Sequence, residues 1–358
     1  MKVFRVSIIF TVLALIAAFF VGYYDTTEGL GGMSGGMKFF FIAFVLTVLE
    51  VSLSFDNAVV NASILERMDA VWQRRFLTWG ILIAVFGMRL IFPLAIVGFI
   101  AKIDPWSALT LSFTDPKRYA EIMLSSHHLV SAFGGSFLLL VCLTYFFDKD
   151  KEIHWFTKIE QIWSSLGKMQ GISMAMVLIL FVVISGYLPL AETEKMPYLL
   201  SALWGIVTFA IVDGFASLFE VESDDVAYSM KHTDPKASAA TKVMASSGLG
   251  LFLYLEVLDA SFSFDGVVGA FAITHNLLVI MLGLGAGAFF VRSITIYLVE
   301  RKTLNQFKFL EHGAFYAIGA LGAIMIASPF IHISEWITGL IGVVILGVSI
   351  WASKSAEA

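Results

Sequence analysis

An all-α fold, a polytopic bundle of about ten membrane-crossing helices, follows from three features of the sequence. The 358-residue chain is 58% hydrophobic and only 14% charged, against about 25% charged in an ordinary soluble domain. Its mean hydropathy is +0.86. Its apolar runs repeatedly approach the ~20 residues a helix needs to cross the hydrocarbon core. Backbone groups in lipid must be satisfied within the segment, so such runs read as helices. The net charge of −5, with no basic patch among aromatics, points away from nucleic acid. The single cysteine, Cys142, excludes an intrachain disulfide and a zinc site built from several thiolates.

The expected spans are 4–24, 38–64, 76–100, 123–147, 172–190, 198–219, 248–274, 276–299, 313–330 and 336–352. Lys2 and Arg5 precede the apolar run 6–21, a pattern shared with signal peptides. No small-x-small cleavage site follows, so the segment is read as a retained first span. With the N-terminus inside, inner segments hold sixteen of the 23 Lys and Arg residues and outer segments five. That bias fits the positive-inside rule and puts both termini in the cytoplasm. The inner loop 148–171 contains Trp155 and Trp163 and reads as an interfacial helix. The inner loop 220–247 carries Glu220, Glu222, Asp224 and Asp225, then Lys231, His232 and Lys236. Neither loop forms a separate domain, so residues 1–358 are one membrane domain.

Two acidic motifs inside spans resemble each other. Leu49 to Asn57 reads LEVSLSFDN and Leu258 to Gly266 reads LDASFSFDG. Glu50 then matches Asp259, Ser52 matches Ser261, Ser54 matches Ser263 and Asp56 matches Asp265. The first lies in span two and the second in span seven, which run in opposite directions. Similar motifs in oppositely directed helices signal an inverted repeat. The repeats are 38–147 (spans 2–4) and 248–330 (spans 7–9), with 148–247 inserted as loops and two spans. Spans one, five, six and ten are then peripheral or supporting.

At about 100° per residue, Glu50, Ser54 and Asn57 share one helical face, while Ser52 and Asp56 share another. In the second motif Glu256, Asp259 and Ser263 cluster, and Asp265 falls about 180° from Glu256. One straight helix cannot aim Glu256 and Asp265 at the same ion. Either there are two neighbouring sites or the helix breaks, and Gly266 would permit an unwound turn.

A carboxylate at bilayer depth needs a partner or a task. Glu50, Asp56, Asn57, Glu256, Asp259 and Asp265, with Ser54 and Ser263, form a hard oxygen donor set. Such a set suits Mg²⁺, Ca²⁺ or Mn²⁺ better than copper or zinc. The bland alternative is that the acids merely neutralise Arg89 and Arg292. Six acids in spans, counting Asp213, face those two arginines, and a divalent cation or protonation could balance the excess. The arginines themselves read first as helix clips and second as neutralisers of an empty site. His127 and His128 read as polar groups at a helix end. Asn61-Ala62-Ser63 matches a glycosylation sequon but lies within a span and is discounted. Gly134-Gly135, Gly283-x-Gly285-x-Gly287 and Gly319-x-x-Gly322 read as close helix packing. No Ser/His/Asp or Cys/His spacing argues for an enzyme.

These residues resemble the TerC family, named for tellurium resistance. The resemblance rests on Glu50-x5-Asp56-Asn57, on Glu256-x2-Asp259-x5-Asp265-Gly266, and on Ala270-Phe271-Ala272-Ile273-Thr274. The stretch from Arg74 through Trp79-Gly80 to Arg89 and the segment Phe309-Leu310-Glu311-His312-Gly313 add to it. It covers roughly 38–147 and 248–330. It implies an exporter of manganese, with Glu50, Asp56, Asn57, Asp259 and Asp265 at the family's metal positions and Glu256 preceding them. Two departures stand out. Gly266 replaces the Ser of many members, and the 148–247 insert is not standard.

The resulting expectation is a Mn²⁺ exporter of the bacterial cytoplasmic membrane, working by alternating access, with proton exchange as an option. The alternative is a membrane scaffold of a metal or tellurite stress-response complex, with cytoplasmic partners docking at 148–171 and 220–247. A metal-dependent membrane hydrolase is a remote third. A homodimer stays open.

Overall fold

The computed structural model describes residues 3–25, 31–66, 68–148, 151, 153–169, 171–230, 237–302, 306–331, 333 and 335–357. Within them, side chains are not described at 77, 215–230, 237–247, 264–265, 335–336 and 357. The elements among these residues are helices: α1 (Arg5–Tyr24), α2 (Met33–Leu53), α3 (Phe55–Leu65), α4 (Ala70–Ala101), α5 (Pro105–Thr114), α6 (Pro116–Ser125) and α7 (His127–Phe146). There follow α8 (Thr157–Leu166), α9 (Ile172–Ser185), α10 (Glu192–Met230), α11 (Ala237–Ile273), α12 (Leu277–Glu300), α13 (Leu310–Ala327) and α14 (Glu335–Glu357).

Eight helices among the described residues are long and apolar enough to cross a membrane, and the chain is a multi-pass membrane protein. Its outer surface follows the same logic. Helix α1 turns Val6, Ile9 and Leu13 outward and buries Ser7, Ala14 and Ala18. Lipid is as apolar as leucine, so large side chains gain nothing by facing inward, while small ones let helices approach.

The structure departs from the expected spans in three places. Span two is not one helix but α2 and α3, which meet at Ser54. Span five is the 14-residue α9, short of a full crossing. Span seven lies within α11, which runs unbroken from Ala237 to Ile273, so the turn anticipated at Gly266 does not form. The break sits in the first motif instead. The expected loop 220–247 is helical through Met230 and again from Ala237, and its side chains lie outside the described residues up to 247.

Helix starts follow capping chemistry. Asp69, Asp104, Asp115 and Asn276 accept hydrogen bonds from first-turn backbone N–H groups of α4, α5, α6 and α12. Pro105 and Pro116 open α5 and α6, where a missing N–H costs nothing.

Packing between spans uses hydroxyls and glycines. Thr47 donates to the Gly283 carbonyl across α2 and α12 (3.0 Å), and Ser136 to the Ala202 carbonyl across α7 and α10 (2.9 Å). Tyr198 donates to the Ile326 carbonyl across α10 and α13 (2.7 Å). Gly135 and Gly322 bring α7 and α13 together so closely that a Cβ on Gly135 would lie 2.9 Å from the Gly322 carbonyl oxygen. Gly135→Val is therefore expected to cost about 1–3 kcal/mol through overpacking. A thermal melt in detergent checks it: an unchanged Tm would show that the two helices can separate freely.

Candidate cation site

The Ser54 break decides the geometry of the first motif. The last turn of α2 closes with the Ser54 N–H donating to the Glu50 carbonyl (3.0 Å). Ser54 then takes φ −104° and ψ 17°, outside the helical basin, and α3 restarts at Phe55. Asp56 falls in the first turn of α3, where backbone N–H groups favour a carboxylate. Its Oδ1 accepts from the Asn57 N–H (3.0 Å).

Glu50, Ser54, Asp56 and Asn57 are all buried. The Ser54 hydroxyl donates to Glu50 Oε1 (3.2 Å). The same oxygen is ion-paired with Arg89, whose other terminal nitrogen donates to the Ala84 carbonyl. Glu50 Oε2 faces another way: it lies 3.2 Å from where a Cβ on Gly266 would stand. Ser52, matched to Ser261 in the sequence, is exposed and donates to the Val48 carbonyl instead of joining the site.

Two cavities adjoin this carboxylate. The first is walled by Glu50, Ser54, Asn61, Arg89, Asp259 and Arg292 among others, with a cavity volume of ≈ 20 Å³. The second is walled by Glu50, Ser54, Asp56, Asn57, Gly266 and Gly342 among others, with ≈ 30 Å³. Glu50 and Ser54 line both. The first cavity runs toward Asn61 and Thr295, near the ends of α3 and α12. The second reaches Thr338, at the start of α14. Asp56 and Asn57, which line the second cavity, follow Glu50 along the chain in the same direction as Asn61, which lines the first, so both cavities extend from Glu50 along α3.

Their charges differ as well. In the first, Glu50 and Asp259 face Arg89 and Arg292, so acid and base balance. In the second, Glu50 and Asp56 meet no Lys or Arg among the described lining residues, and the buried Asn57 Oδ1 has no hydrogen-bond partner. An uncompensated buried carboxylate, Asp56, beside an orphaned amide oxygen and the free Oε2 of Glu50 is the kind of surroundings a small cation fits.

The second motif is split. Asp259 lines the first cavity and takes a side-chain hydrogen bond from Asn61. Glu256 sits by Arg292, since a Cβ on Gly80 would lie 2.5 Å from an oxygen of one and a nitrogen of the other. Its Oε1 has no hydrogen-bond partner. Arg292 stacks on Phe76, with Cζ 3.7 Å from the ring centroid. Ser263 is buried but lines neither cavity. The Asp265 side chain lies outside the described residues. Among the described residues, no three His, Cys, Asp or Glu side chains gather closely enough to hold a metal by themselves.

Several contributors escape a reading by residue type. Asn61, set aside as a sequon, holds Asp259. Gly287 leaves room for Glu50: a Cβ there would strike the Glu50 side chain and come within 3.0 Å of the Thr47 carbonyl oxygen. Helix α14, expected to be peripheral, walls the second cavity through Thr338, Gly339 and Gly342. The Gly339-x-x-Gly342 spacing was the available signal. Asp213 is partly buried, and His127, at the start of α7, lies 3.3 Å from Ser131. Asp213, His127 and His128 line neither cavity.

The loop 148–171 closes back onto the bundle. Glu160 of α8 is fully buried and accepts from Lys151 (3.1 Å), the Tyr316 hydroxyl (3.0 Å) and the N–H groups of Trp155 and Phe156 (both 3.2 Å). Burial pushes its carboxyl up, but the Phe156 N–H, Lys151 and His312 outweigh this and hold it below the ordinary glutamate value. Phe156, Ile159 and Ile162 stay exposed on the same segment.

A family model described as a protein of unknown function (DUF475) matches residues 55–357. No curated protein and no solved structure matches the chain.

Proposed function

The chain belongs to the DUF475 family, whose description assigns no activity, and we propose that it exports a divalent metal cation, Mn²⁺ foremost, across the bacterial cytoplasmic membrane. One observation carries this reading: Glu50, beside a break in a spanning helix, lines two cavities, and the second holds Asp56 with no Lys or Arg among its described lining residues. Transporters place cargo at discontinuous helices near the midplane and expose it to each side in turn. The oxygen donors match a hard divalent cation. The motif resemblance to TerC proteins favours manganese.

Under this reading Glu50, Asp56 and Asn57 take the cation in the second cavity, with Asp265 beside them in sequence register. Ser54 orients Glu50. Asp259 and Glu256 serve the salt-bridged first cavity, and Ser263 supports the helix that carries them. The repeats 38–147 and 248–330 rock against each other, and the N-terminus lies inside. The exposed Phe156, Ile159 and Ile162 suit a membrane interface, which fits loop 148–171 as an interfacial segment.

The test is Mn²⁺ uptake by proteoliposomes, with Mg²⁺ and Ca²⁺ as competitors. Saturable uptake above that of protein-free vesicles supports the reading. Binding without uptake overturns it and leaves a metal-stabilised scaffold. Gly266→Ser supplies a further check, because it adds a hydroxyl beside Glu50 Oε2. One added oxygen contact of about 1 kcal/mol should tighten Mn²⁺ binding about 5-fold. Unchanged affinity in a competition assay would remove Gly266 from the site.

A further inference from the structure

The geometry points to Arg89 as a tethered cation that occupies Glu50 when the protein carries no cargo and must be displaced for cargo to bind. This rests on the transport reading, and it assigns the empty-state partner of the same carboxylate.

Three observations meet at Arg89. First, the guanidinium takes only one face of the carboxylate. It pairs with Glu50 Oε1 on the first-cavity side, while Oε2 faces Gly266 and the second cavity. A cation arriving through the second cavity therefore meets Oε2 without passing the arginine, and takes both oxygens of Glu50 only by displacing Arg89 from Oε1.

Second, Arg89 sits in a π-helical stretch of backbone. Helix α4 is π-helical over Phe76–Gly80 and Ile83–Ile91. π-turns are rare and cluster at functional sites. Arg89 donates to the Ala84 carbonyl five residues earlier, so the same side chain both holds Glu50 and ties to the turn that positions it. Reversion of that stretch to α-helical register would rotate residue 89 by up to ~100°, enough to carry the guanidinium away from Glu50.

Third, Arg89 is buried at 2% exposure yet incompletely satisfied: its Nε has no hydrogen-bond partner. A helix clip built for stability alone would satisfy its donors, because a half-satisfied buried charge is costly. Asp259 lies within electrostatic reach of both Arg89 and Arg292, so a carboxylate stands ready for the released guanidinium.

The consequence is a built-in competition. A site whose carboxylate is held by its own arginine nine-tenths of the time binds an external cation about 10-fold more weakly than the free site. Release of cargo is then assisted by the arginine's return.

The experiment is equilibrium Mn²⁺ binding to purified wild type, Arg89→Gln, Arg89→Lys and the double variant Glu50→Gln with Arg89→Gln. Each is paired with a thermal melt with and without Mn²⁺. The expected result is that Arg89→Gln binds Mn²⁺ about 10-fold more tightly. Its Tm, lowered without metal, should recover with Mn²⁺. Arg89→Lys should fall between, and both gains should vanish in the double variant. Unchanged or weaker binding in a folded Arg89→Gln, with no recovery by Mn²⁺, overturns the proposal and leaves Arg89 a helix clip, while wild-type binding preserves the transport reading. A wild type that binds no Mn²⁺, together with an Arg89→Gln that does, supports the tethered cation and counts against transport. Absence of binding in every variant overturns both.

Discussion

Asp56→Asn is expected to lower Mn²⁺ flux by at least on the order of 100-fold, because even outer partners of metal ligands cost 10–100-fold in affinity. This variant is the sharpest probe of the site. Unlike Glu50, Asp56 has no arginine partner among the described residues, so its replacement strands no buried cation. Asparagine keeps the size and the oxygen that accepts from the Asn57 N–H. What it removes is charge, in the cavity where no Lys or Arg compensates. Asp265→Asn, its counterpart in the second motif, should lose flux to a similar degree. Flux measured in proteoliposomes, with reconstitution checked by size exclusion, decides the matter. Flux within about 3-fold of wild type for Asp56→Asn would place the cation elsewhere.

Glu160→Ala is expected to destabilise the protein by about 3–5 kcal/mol, the usual cost of removing one member of a buried, hydrogen-bonded charge pair. Four donors converge on this carboxylate. Alanine would leave Lys151, the Tyr316 hydroxyl and two backbone N–H groups buried without their acceptor. The segment 151–166 should detach from α7 and α13, and proteolysis within it should accelerate. The pH dependence has a definite sign. The folded-state value of Glu160 lies below the ordinary 4.5. Its stabilisation is therefore complete above about pH 4.5 and is lost as pH falls through the lower folded value. A wild-type Tm that falls below pH 4.5, with a flatter profile in Glu160→Ala, is the expected pair of curves. Identical profiles would show that Glu160 contributes no pH-dependent stability.

Composition and apolar run length made the membrane class legible, because the bilayer imposes one length and one kind of secondary structure on any spanning segment. The acids were equally legible, since ionisable residues in such runs are too costly to be incidental. The packing role of Gly135 and Gly322 followed from small-residue spacing. Helical periodicity also showed that a straight helix cannot aim Glu256 and Asp265 at one ion, which left two neighbouring sites or a break in the second motif.

Only the tertiary structure decided that the second motif stays straight and the first one breaks. Gly266 offered the permissive residue, yet α11 passes straight through it and Ser54 bends instead. A glycine lowers the cost of leaving a helix but does not compel it, and here the Gly266 surface serves to admit Glu50. The division of acids between a balanced cavity and an uncompensated one was likewise out of reach. It depends on which carboxylate Arg89 and Arg292 approach, and side chains from α2, α4, α11 and α12 meet only after the bundle closes. The same holds for α14 and Asn61. Local sequence sets which residues are costly to bury; which neighbours offset that cost is a property of helices far apart in the chain.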